Sequence, residues 1–110
     1  FYLTLKNLSK SDQVIEFYVD KNILENSKYF EKDKKIILNQ SFFNNPEEII
    51  LRSIIQVIKR ISWKKNYPRG KKVNSLIDSI KFSNKNVKLT LSGCIIEKIQ
   101  DSVIIYPEKR

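Results

Sequence analysis

In Ser9 to Asn26, Ile50 to Ile61 and Val73 to Ile80 the apolar residues of this chain recur at spacings of three and four, and from Val87 the tail switches to a spacing of two. The first spacing draws a stripe down one side of a helix, whereas the second puts apolar side chains on one face of a strand. The chain is therefore expected to be α+β: a small helical domain packed against a short antiparallel sheet formed mainly by the C-terminal strands. Its 110 residues, 41% hydrophobic and with only five Gly and Pro, are enough for one core and too few for two.

Between Ser9 and Asn26, Val14, Ile15, Tyr18, Val19, Asn22 and Ile23 have helical spacing and predict one buried stripe. Residues 1–8, Phe1 to Leu8, are apolar enough to be a linker or the end of an upstream helix, which leaves 9–110 as the domain. The charged stretch Glu31 to Lys35, the patch Ile36 to Leu38, and Phe42 with Phe43 read as a loop with a brief extended piece. Asn45, Pro46, Glu47 and Glu48 are dense helix-start chemistry: Asn can cap, Pro fits the first turn, and acids suit the positive end of the dipole. The helix they open is expected to reach Ile61, with Ile50, Ile54, Val57, Ile58 and Ile61 inside and Arg52, Gln56, Lys59, Arg60 and Lys64 outside.

Lys64 to Pro68 breaks that pattern, and Val73, Leu76, Ile77 and Ile80 predict a further helix from Arg69 or Lys71 to Phe82. The tail reads as three short antiparallel strands around Val87 to Leu91, Ile95 to Ile99 and Val103 to Tyr106. Gly93 supplies a bulge or tight bend between the first two.

Histidine is absent, which removes the usual general base, the usual zinc ligand and any Ser-His or Cys-His pair. Cys94 is the single cysteine, so no internal disulfide forms; a reducing cytoplasm is the expected setting, and the thiol reads as a small buried hydrophobe. Glu47 and Glu48, adjacent on a helix, point about 100° apart and serve its first turn rather than acid–base chemistry. With Gly70 and Gly93 alone there is no Gly-rich phosphate loop, so this chain is expected to hold no ATP, no metal and no catalytic residue. Apolar runs are as short as Ile49 to Leu51, and no membrane span is expected. The chain opens at Phe1 and contains no Met, as a segment of a longer protein would.

The net charge of +9 is unevenly distributed. Phe1 to Glu48 carries seven basic and eight acidic residues, whereas Ile49 to Ile96 carries eleven basic residues and one acid, Asp78, which is expected to pair with Lys71 or Lys81. The basic constellation is Arg52, Lys59, Arg60, Lys64, Lys65, Arg69, Lys71 and Lys72, with Trp63 and Tyr67 among its members. Cations meet phosphates, and an exposed aromatic stacks on an unpaired base, so this pattern fits an RNA-binding surface. Arg69, Lys71 and Lys72 sit at the unfavourable end of their helix dipole, which hints at an anionic ligand. Two bland readings stand beside it: Trp63 and Tyr67 close the core at a helix end, and a Lys-, Asn- and Ile-rich chain carries lysines from AT-rich coding alone.

The order of features adds a family resemblance. A Pro46-Glu47-Glu48 helix start, a long apolar helix, Tyr67-Pro68-Arg69, an amphipathic helix, Leu89-Thr90-Leu91-Ser92-Gly93-Cys94 and a closing Tyr106-Pro107-Glu108-Lys109-Arg110 resemble the region C-terminal to the catalytic domain of bacterial tRNA(Ile) lysidine synthetases. Alphaproteobacterial members, with a Pro-Arg step and a Thr-Leu-Gly-Gly-Cys stretch, are the nearest in pattern; here Ser92 replaces the first Gly of that pair. The resemblance runs from about Ser9 to the end and is best from Pro46. It implies a parent ligase that adenylates the wobble cytidine of an isoleucine tRNA with ATP and magnesium, then lets lysine displace AMP. It also implies that this chain holds the tRNA for its own N-terminal catalytic domain, whose nucleotide loop is not in this sequence, with Arg69 and its basic neighbours as first candidates for phosphate contact. Other readings are a protein-interaction or dimerisation module presenting Phe1, Tyr2, Leu3 and Leu5, and a nonspecific nucleic-acid adaptor.

Overall fold

The computed structural model describes residues 10–62, 70–82 and 85–108. The expectations for Phe1 to Leu8 and for Trp63, Lys64, Lys65, Tyr67 and Arg69 lie outside those residues. Helix α1 (Lys10–Asn26) leads into a hairpin of β1 (Ser27–Phe30) and β2 (Lys35–Leu38), then a 3-10 turn (Gln40–Phe43). Helices α2 (Glu47–Ile61) and α3 (Gly70–Phe82) follow, and β3 (Val87–Leu91), β4 (Cys94–Ile99) and β5 (Ser102–Pro107) close the chain. The fold is α+β, with the strands in the order β1-β2-β5-β4-β3 and every neighbouring pair antiparallel.

The register aligns Tyr29, Ile36, Ile105, Ile96 and Leu89 across all five strands. Leu38 and Val103 form the next row on the same face, and Cys94 lies opposite Pro107. Period two puts these side chains on one side of the sheet, where Ile36, Leu38, Cys94, Ile96, Val103 and Ile105 are all buried. Helix α2 covers that side with Ile50, Ile54, Val57, Ile58 and Ile61, the inner face its spacing predicts. Helix α3 adds Val73, Leu76, Ile77 and Ile80 against β3, and α1 lies along α2 and β1. The Lys98 ammonium donates to the Ile80 carbonyl at 2.6 Å, fastening the last turn of α3 to the sheet with a cation at its negative end.

The hairpin is longer than a loop with one extended piece: Ser27–Phe30 pairs with Lys35–Leu38 along its whole length, adding two strands to the three of the tail. The β3–β4 turn, Ser92-Gly93, has positive φ at both residues (50° and 81°), the geometry of a two-residue hairpin turn that favours glycine. In α1, Val19 and Asn22 are buried, but Val14 and Tyr18 from the expected stripe are exposed. No side chain caps α2; the Pro46 carbonyl accepts from the Ile49 and Ile50 amides, and Asn45 is drawn elsewhere.

What draws Asn45 is Asn22, a buried polar residue. The Asn22 amide donates to the Phe42 carbonyl (3.3 Å) and the Ser53 hydroxyl (3.1 Å), while its oxygen accepts from Asn26 (2.9 Å) and Asn45 (3.0 Å). The Ser53 hydroxyl in turn donates a hydrogen bond to the Ile49 carbonyl at 2.6 Å. This network joins α1, the 3-10 turn and α2 with its buried groups satisfied, which is the condition for polar atoms inside a core.

Cys94 is fully buried, its thiol 3.7 Å from the Ile58 carbonyl. Burial pushes it from its ordinary value of 9.0 up to about 11, the Ser62 hydrogen bond opposing and the Glu108 charge reinforcing that rise. The thiol is thus a core group rather than a nucleophile.

Two measurements check these contacts. Asn22→Ala is expected to lower unfolding free energy by about 2–3 kcal/mol in urea titrations, because four partners lose their hydrogen bonds at once. For Cys94 the folded state keeps its proton to higher pH than the unfolded chain, so stability is complete below pH 9 and falls as pH rises from 9 towards about 11. Wild type should lose about 1.4 kcal/mol more per pH unit in that window than Cys94→Ala; parallel curves would refute the assignment.

Candidate nucleic-acid interface

Helix α2 carries Arg52, Gln56, Lys59 and Arg60 on the side away from its isoleucines, and all four are exposed. They do not share one electrostatic environment. The Arg52 Nε donates to Glu48 Oε1 at 2.7 Å one turn earlier, and the groove beside it is lined by Asp12, Glu16, Arg52 and Gln56. Acids of α1 and the first turn of α2 therefore lower the positive potential around Arg52.

Lys59 and Arg60 lie in the last turn of the same helix, the end where cations suit the dipole. The guanidinium carbon of Arg60 stands 4.3 Å from the ring centroid of Tyr29, within cation–π range, and among the described residues Arg60 makes no ion pair. Tyr29 is the edge member of the cross-sheet core row, so Arg60 covers the ring where the sheet ends. The pair lines two open cavities. One, of about 310 Å³, includes Ile23, Ser27, Gln56 and Lys59; the other, of about 450 Å³, includes Lys34, Ile61, Ser62, Pro107 and Glu108.

Lys71 and Lys72 are exposed in the first turn of α3, which holds no acid, and among the described residues neither forms an ion pair. Asp78 does not pair with Lys71 or Lys81; it is exposed, and water screens it well enough that closure of a surface pair gains little. Of the sequence-predicted candidates, the structure thus places Lys59 and Arg60 beside the hairpin and Lys71 and Lys72 at the start of the helix packed against α2. Trp63, Lys64, Lys65, Tyr67 and Arg69 belong to the segment outside the described residues.

The other side of the sheet has its own cations, largely matched. Lys28 and Lys35 lie 5.3 and 5.5 Å from the Phe30 centroid, Lys35 stands 3.8 Å from Asp33, and Lys88 stands 3.9 Å from Glu97. The Tyr106 hydroxyl donates to the same Glu97 carboxylate, which raises its pKa.

Tyr29 and Lys34 are the site residues that reading the sequence missed. The available signal was a hairpin signature: a short run ending Tyr29-Phe30, a charged turn Glu31 to Lys34, and the apolar Ile36 to Leu38. Comparison with protein-family models, with curated proteins and with solved structures finds no match for this chain.

Proposed function

We propose that this chain is a tRNA-binding domain, and that it serves the catalytic domain of a tRNA(Ile) lysidine synthetase in the cytoplasm. The observation that carries the RNA-binding reading is the charge segregation: between Ile49 and Ile96 eleven cations face one acid, and Arg60, Lys71 and Lys72 stand exposed without an ion pair among the described residues. The narrower identification rests on the motif resemblance from Pro46 onward.

In this reading phosphates dock on the C-terminal half of α2 and the start of α3, and these contacts set register and orientation without reading sequence. Structured RNA is the suited polyanion because its unpaired bases add stacking to the charge term. The parent ligase supplies ATP, magnesium and the bond-forming step from its own domain; this chain contributes hold and placement. Among the described residues no helix is long and apolar enough to cross a membrane.

A second reading, a protein-interaction or dimerisation module, is favoured by α1, which exposes Phe17 (62%) and Leu24 (83%) with Val14 and Tyr18. Sedimentation of the chain from low to high concentration separates the two: a monomer throughout goes against self-association.

Gel shifts at low salt with an isoleucine tRNA transcript test the main reading. Combined Lys59→Glu, Arg60→Glu, Lys71→Glu and Lys72→Glu should weaken binding at least about tenfold and flatten the salt dependence by roughly one unit for each phosphate no longer engaged. Melting curves separate loss of binding from loss of fold, because Arg60 also covers Tyr29 and Lys59 and Arg60 occupy the helix end that suits cations. Unchanged affinity would falsify the basic-surface proposal.

A further inference from the structure

The 450 Å³ cavity lies where the sheet comes apart. Strands β2 and β5 pair over three positions, Ile36 to Leu38 against Val103 to Ile105, whereas β1 keeps its partner as far as Phe30 and Lys35 and β5 keeps β4 as far as Pro107. Beyond the Ile36–Ile105 pair the hairpin tip and the end of β5 thus belong to separate ladders. Between them lie Arg60, Ile61 and Ser62 at the end of α2.

The lining combines three kinds of chemistry. Arg60 on Tyr29 forms a cation–aromatic pair, and a guanidinium plane is itself a platform for a nucleobase. Lys34, in the hairpin turn with φ 49°, is an exposed cation that makes no ion pair among the described residues. Glu108 sets a carboxylate in the same cavity, and Ser62 a hydroxyl already donated to the Ser92 carbonyl. A simple anion would meet the Glu108 charge. A nucleotide divides its chemistry in the matching way, with a flat ring for Arg60, a phosphate for Lys34, and an exocyclic amine or ribose hydroxyl for Glu108 to accept from. The volume is within the roughly 300–1,000 Å³ of small-molecule sites.

We propose that this cavity is a pocket for one unpaired nucleotide of RNA, its base stacked on the Arg60–Tyr29 pair and its phosphate at Lys34. The proposal rests on the RNA-binding reading above and adds to it a preference for strands with an unpaired base.

The test uses the full chain and two RNAs of equal length, a stem-loop and a blunt, fully paired duplex, with affinities measured over a salt series. Tyr29→Leu and Arg60→Lys should each lower the ratio of stem-loop to duplex affinity roughly five- to tenfold, the lower end of what one stacked base contributes. Because Arg60→Lys keeps the charge, its salt slope should match wild type. Lys34→Gln, at an exposed turn away from the core, should weaken stem-loop binding and reduce its slope by about one unit. Melting curves identify any variant that fails to fold, and Lys34→Gln keeps the test decisive should Tyr29→Leu do so. If both RNAs bind and the ratio stays at the wild-type value in folded Arg60→Lys and Lys34→Gln, the pocket is overturned and the RNA-binding reading survives. If wild type binds neither RNA, the RNA-binding reading falls and the pocket falls with it.

Discussion

The burial of one helix face on one sheet face holds this molecule together and also positions its candidate site. Ile50, Ile54, Val57, Ile58 and Ile61 of α2 lie against Ile36, Leu38, Ile96, Val103 and Ile105, and nearly every one of these side chains is shielded from water. Each such side chain contributes roughly 1.5–3 kcal/mol relative to an exposed one, far more than any surface ion pair in the structure. The rotation of α2 about its axis is therefore fixed by its isoleucines. Val57, Ile58 and Ile61 bracket Lys59 and Arg60 in sequence, so the same packing that buries the first three aims the other two outward, beside the sheet edge at Tyr29.

Charge then divides α2 into unlike ends. Its first turns carry Glu47 and Glu48, hold Arg52 in an i,i+4 pair and lie along Asp12 and Glu16 of α1; its last turn carries Lys59 and Arg60 beside the hairpin. Both ends suit the helix dipole, so the arrangement carries no local penalty of the kind expected for Lys71 and Lys72 at the start of α3. The Asn22 network keeps α1 in place on the first half, because a slip of α1 would strand a buried amide and its four partners. That placement keeps Asp12 and Glu16 beside Arg52.

The elements legible in the sequence were those whose burial is one-sided and long. Helices α2 and α3 and the three strands of the tail each repeat their apolar period several times, and Gly93 marks the turn that needs positive φ. Strand β1 was harder to read because it has four residues and follows α1 without a Gly or Pro to separate them, so that the charged turn and apolar patch after it are what mark it. The partner of Asn45 was hidden for a different reason: local chemistry makes Asn a helix cap, but Asn22, distant in sequence, offers a buried acceptor, and tertiary context prevailed. Arg52 illustrates a third limit. Its i,i+4 spacing to Glu48 was readable, yet a census of cations weights every cation alike and cannot show which are offset.

The same distinction bears on whether the lysines signify function or coding bias. A side chain kept only for solvation needs no fixed partner, and the Lys88–Glu97 and Lys35–Asp33 pairs are loose at 3.9 and 3.8 Å. Arg60 instead gives up side-chain freedom to lie on Tyr29, an ordering cost that the ring contact must offset. Covering the exposed end of the core row is one return on that cost, and it would be had equally from an aliphatic side chain of similar length. What only a guanidinium adds is a charged plane fixed at the rim of a cavity, and a coding bias towards lysine does not account for that.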